Sequence, residues 1–116
     1  MIWLWLSAAF MVTTAGVHSV LGYRRMIVPL LKRREGPLSE LLNRRILRFA
    51  WHATSVLMLI SAAAVAWPGT PTGLLIVIGS GWLATGLVNA LYTSGRHIAW
   101  PALSGAGILA LVGALA

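Results

Sequence analysis

Three histidines, His18, His52 and His97, are the side chains of this sequence best suited to chemistry. A neutral imidazole can ligate Zn, Cu or Fe, can hold haem b as an axial ligand, or can relay a proton near neutral pH. Each histidine lies near one end of a different apolar segment, and Ser19, Ser55, Asn89 and Tyr92 lie near the same ends. Those hydroxyl and amide groups would orient the imidazoles, because ligating histidines need a hydrogen-bond partner on the second ring nitrogen. The expectation is one polar layer in which His18, His52 and His97 bind haem b or a transition metal, for electron transfer or metal handling. For haem, His18 and His52 are the natural axial pair, and Arg24, Arg25 or Arg48 would meet the propionates.

Other chemistry is narrowed by what the chain lacks. It has no cysteine, which removes disulfides, thiolate metal sites and cysteine nucleophiles. Its only acids are Glu35 and Glu40, so no His/carboxylate pair or H-x-x-E-H spacing exists. No catalytic set is expected. Two further readings compete with the cofactor site. In one, the chain is an accessory or assembly subunit of a membrane complex and the layer is structural. In the other, it is a small oligomeric channel or carrier whose histidines pass protons.

The elements that must position these groups follow from composition. Of 116 residues, 59% are hydrophobic and 9% charged, against about 25% charged in an ordinary soluble domain. Lipid is therefore the expected solvent, and the fold class is an all-α four-transmembrane-helix bundle forming a single domain. A span needs about 20 mostly apolar residues. The spans are placed at about 2–22, 45–67, 72–93 and 97–116. The opening Met1-Ile2-Trp3-Leu4-Trp5 lacks a basic leader and reads as a retained first span, with Trp3 and Trp5 as belt residues.

Between the first two spans the chain is mixed. Pro29 is expected to bend or break any helix there, and 32–37 is expected to be a turn. Leu38, Leu41, Leu42, Ile46 and Phe49 then follow a helical rhythm that suits a piece lying in the interface. Pro68-Gly69-Thr70-Pro71 and Ser94-Gly95-Arg96 are the remaining tight connections.

Charge sets the expected orientation. Arg24, Arg25, Lys32, Arg33, Arg34, Arg44, Arg45 and Arg48 lie between the first two spans, and Arg96 lies between the last two. Positive charge marks the cytoplasmic side, so both termini and the 68–71 connection should face outward. Arg24, Arg25, Arg33, Arg34, Arg44, Arg45 and Arg48 are assigned to anionic lipid headgroups, and nucleic acid is not an expected partner. At about 1.5 Å rise per residue, His18 lies roughly 9 Å from Arg24 and His52 roughly 6 Å past Arg48. All three histidines then share the cytoplasmic third of the membrane. Small residues, Gly79, Gly81 and Gly86 with Ala102, Ala106, Ala110 and Ala114, are expected to let helices approach closely or to form an oligomer seam.

The stretches His18-Ser-Val-Leu-Gly22, Arg48-Phe-Ala-Trp-His52 and Gly95-Arg-His-Ile-Ala-Trp-Pro101 resemble small four-span bacterial inner-membrane proteins without an assigned function. That resemblance covers most of the chain and implies a fold and a location in the bacterial cytoplasmic membrane, but no activity. The H-x-x-x-G-x-R run from His18 to Arg24 is similar, over seven residues, to haem-binding anchor subunits of succinate dehydrogenases. In size the chain is similar to small multidrug exporters and to fluoride channels. The exporters' glutamate in the first span is absent here, and the channels' motifs are not recognisable.

Overall fold

Apolar runs broken by Gly, Pro and basic clusters fold as helices joined by short links. The computed structural model describes residues 1–116. Four helices make up the chain: α1 (Ile2–Arg33), α2 (Leu41–Ala66), α3 (Thr72–Tyr92) and α4 (Ala99–Leu115). The first three are long and apolar enough to cross a membrane. α4 has 17 residues, which is about the shortest length that spans a bilayer core.

The second, third and fourth helices begin and end within a few residues of the expected spans. The first does not. Instead of closing at Gly22, α1 continues for another eleven residues, through Pro29 to Arg33. Its central part, His18–Ile27, is π-helical, and the Val28 N–H still reaches back five residues to the Tyr23 carbonyl. In an α-turn the proline ring would collide with the carbonyl four residues earlier. The wider π turns just before Pro29 give that ring room, so the helix passes it unbroken.

The extra residue per turn also re-aims the side chains. Ile27 and Leu31 are buried, whereas Arg24, Arg25 and Met26 are exposed. α1 stops at Arg34, whose backbone takes a left-handed conformation at φ 54°. A 3-10 turn, Gly36–Ser39, leads into α2.

Packing is antiparallel, and α1 is central. It lies against α2 on one side and α4 on the other, and α4 in turn packs on α3. The consecutive helices α2 and α3 scarcely touch. They share one core cluster, in which Ala62 and Val65 of α2 and Leu75 of α3 join Ala8, Met11 and Ala106. That cluster lies at the end of the molecule away from the basic residues. Within the same end, the buried Ser7 hydroxyl donates to the Ala106 carbonyl at 2.7 Å, tying α1 to α4.

The α3–α4 seam is built on missing side chains. A Cβ on Gly86 would strike Ser104, and one on Gly107 would strike the backbone of Leu83. Gly79 faces Ala110 and the Gly107 carbonyl, each 3.1 Å from where its Cβ would stand. Of the small residues singled out by spacing, Gly79, Gly86, Ala106 and Ala110 are buried, while Gly81 faces open space.

Against Gly86, the Ser104 hydroxyl is buried without a hydrogen-bond partner. Removing such a group recovers its desolvation cost, so Ser104→Ala is expected to be neutral or to stabilise by about 1 kcal/mol. Thermal unfolding in mild detergent checks this, and a clear loss of stability would show that the hydroxyl is bonded after all.

Candidate functional site

The polar layer assembles as two separate groups. The larger lies on the α1–α2 seam, near the basic end. There the π-helical winding of α1 brings His18, Ser19, Gly22 and Tyr23 onto the face that meets α2.

His18 and Trp51 grip each other reciprocally. The His18 Nε2–H donates to the Trp51 carbonyl at 3.0 Å, and the Trp51 indole N–H donates to the His18 carbonyl at 2.8 Å. Their rings stack, with centroids 4.0 Å apart and planes inclined by 14°. Gly22 permits this, because a Cβ there would stand 2.8 Å from Trp51 Cζ2. The stack holds the histidine ring flat against the indole.

One residue further along each helix, Ser19 links His52 and Ser55. The Ser19 hydroxyl donates to Ser55 Oγ at 2.5 Å and lies 3.0 Å from His52 Nδ1. His52 Nε2 has no hydrogen-bond partner within the chain. Tyr23 lies across His52, with ring centroids 4.7 Å apart, and its hydroxyl accepts from Arg48 Nε at 2.8 Å.

The second group belongs to the α3–α4 link. His97 is exposed, and its Nδ1 lies 3.1 Å from Asn89 Nδ2 and 3.3 Å from Asn89 Oδ1. Trp100 Nε1 donates to the Gly95 carbonyl at 3.1 Å. Tyr92 is 91% exposed and makes no side-chain hydrogen bond, so it does not join the layer.

The structure therefore brings together His18, Ser19, His52 and Ser55, and separately Asn89 and His97. It does not bring the three histidines to one point: no group of three His, Asp or Glu side chains is placed to hold a metal ion. The reason is azimuth. α2 and α3 scarcely touch, so groups on them stand on different seams. The His18–His52 axial pair for haem also meets an obstacle, since the Trp51 ring occupies one face of His18 and its carbonyl binds Nε2.

Around His52 the surface is open. A groove of about 620 Å³ runs along α2, with Arg45, Arg48 and His52 at its polar end and Phe49, Val56 and Leu57 along its length. The sequence already sets Trp51 beside His52 in the layer and Gly22 at helical spacing from His18; Tyr23 is the participant that residue chemistry alone did not single out. A tryptophan one residue before a histidine was the available signal, but only the helix register reveals which histidine it meets. Comparison with family models, curated proteins and solved structures finds no match.

Proposed function

We propose that this chain is a four-span protein of a bacterial inner membrane, serving as an accessory or assembly subunit whose polar layer fastens its own helices. The observation that supports this reading is that every histidine has a partner within the chain: His18 with Trp51, His52 with Ser19, and His97 with Asn89. In hydrocarbon an unpaired polar group costs several kcal/mol, so such pairing holds helices in a single register. The side of α2 left uncovered by α3, with Phe49 and Leu57 exposed, is the surface on which a larger complex or a second copy would pack.

In this reading the connection between α1 and α2 faces the cytoplasm, and both termini face outward. The chain has no cysteine of its own, so single probes are clean. Thr70→Cys is expected to react with an impermeant thiol reagent from outside, and Glu35→Cys only after permeabilisation. The opposite pattern would invert the topology.

A second reading is favoured by the groove at His52. Its unpartnered Nε2, the two arginines for propionates and an apolar wall fit haem b held by a single histidine of this chain. Haem would supply one-electron transfer there. Absorption spectra and metal content of protein purified from haem- and metal-replete cells separate the readings. The structural role predicts no Soret band and no stoichiometric metal, and predicts a stability loss of about 0.6 kcal/mol in His52→Ala. A Soret band that vanishes in His52→Ala and persists in His97→Ala would replace the structural reading with the haem site.

A further inference from the structure

At the basic end, the arm of α1 beyond the π-helical segment lies near the start of α2. Between them is a cleft of about 380 Å³ that Lys32, Arg34, Arg44 and Arg48 line together with Tyr23. Four cations surround it and no carboxylate lines it. Glu35 and Glu40, though close in sequence to Arg34 and Arg44, are not part of its wall. Like charges held around one cleft repel one another, and an anion of two charges would offset that repulsion.

The cations are also held in place. Arg44 Nη1 donates to the carbonyls of Leu38 and Ser39 at 3.0 and 2.8 Å. Arg48 is fixed through its Nε on the Tyr23 hydroxyl, which leaves its two terminal nitrogens for a ligand. Arg34 occupies a left-handed backbone position at φ 54°. Glycine takes that conformation without strain, whereas a residue with a Cβ does so at a cost. An arginine there spends backbone stability to set a cation at the rim of the cleft.

We propose that this cleft is a binding site for one phosphate group, held by Lys32, Arg34, Arg44 and Arg48. Guanidinium forks match phosphate geometry, and the lysine adds a point charge. The phosphate has two possible sources, a phospholipid headgroup and free inorganic phosphate. Arg48 also lines the apolar groove along α2, so a lipid whose phosphate sits in the cleft has a surface for its acyl chain. This proposal does not rest on the structural role of the histidines, and it competes with the haem reading for Arg48 and the α2 groove.

The test uses the full chain in nanodiscs and follows thermal unfolding. Phosphatidic acid added to phosphatidylcholine discs is expected to raise the melting temperature. Inorganic phosphate titrated into discs of phosphatidylcholine alone gives the second arm. A shift in the first arm only assigns the site to lipid; a shift in the second assigns it to free phosphate. Arg34→Gly removes a cation while relieving the backbone, so it should fold at least as well as the parent. It is expected to weaken binding roughly fivefold, as is Lys32→Gln. Arg96→Gln, at an exposed position outside the cleft, should leave binding unchanged. No shift in either arm, or an equal loss in Arg96→Gln, would overturn the site in favour of diffuse surface attraction.

Discussion

Gly107→Val is expected to lower stability by about 3 kcal/mol, the upper end of ordinary overpacking, and to part α3 from α4. The atoms that a side chain at this position meets are main-chain atoms of Gly79 and Leu83. A neighbouring side chain can rotate away; a helix backbone can move only as a whole. Displacing it would also disturb Gly86 against Ser104, since both contacts belong to the same seam.

A control lies on α3, the facing helix. Gly81 has nothing within 4 Å of its missing Cβ, so Gly81→Ala should be neutral or slightly stabilising, by roughly the 0.5–1 kcal/mol that alanine gains over glycine in a helix. Thermal or denaturant unfolding in one detergent measures both variants. Equal behaviour of the two would mean that the close approach of α3 and α4 does not hold in the folded protein.

Trp51→Ala is expected to open the seam between α1 and α2, with a loss of about 3–5 kcal/mol for a large aromatic cut to alanine. It removes the stack on His18, the indole hydrogen bond to the His18 carbonyl and the filling over Gly22 in a single step. Trp51→Phe keeps an aromatic face and should cost less, about 1 kcal/mol for the lost hydrogen bond plus the smaller ring.

The seam can be read directly by cross-linking. Ser19 and Ser55 hydroxyls are 2.5 Å apart, so Ser19→Cys with Ser55→Cys should form a disulfide on mild oxidation. That cross-link is expected to fail or slow sharply once Trp51→Ala is added. A cross-link of unchanged rate would show that Trp51 is not what closes this seam.

Hydropathy was enough to place α2, α3 and α4, because Gly- and Pro-rich links bound each run. Helical spacing groups Met11, Thr14 and Ala15 on one face, and all three are buried, since that part of α1 has ordinary helical period. It failed at Pro29. The rule that proline breaks a helix assumes α winding before it, and the sequence does not announce a change of hydrogen-bond register.

The histidine layer shows a different limit. Distance along a helix follows from residue count, so the separation of each histidine from the nearest basic residue of its own segment can be read from the sequence. Their positions around the bundle depend on which helices are neighbours, and α2 and α3 are joined by a short link yet barely in contact. The Ser19–His52–Ser55 group forms where α1 meets α2, with His52 and Ser55 about one turn apart on α2. The Trp51 partner of His18 could be recognised only after the register of α1 against α2 was known.

The π-helical stretch of α1 carries one more implication. Each residue by which a helix departs from α winding rotates everything beyond it by roughly 100°. The Met11–Thr14–Ala15 stripe before the stretch and the Ile27–Leu31 pair after it are both buried, although a continuous α-helix would put them out of phase. The segment acts as a fixed phase offset between the apolar shaft and the basic arm. Deleting a single residue inside it would leave composition, charge and length of span almost untouched. The arm would then be turned by about a quarter of a revolution, with its apolar side facing solvent and its cations dispersed.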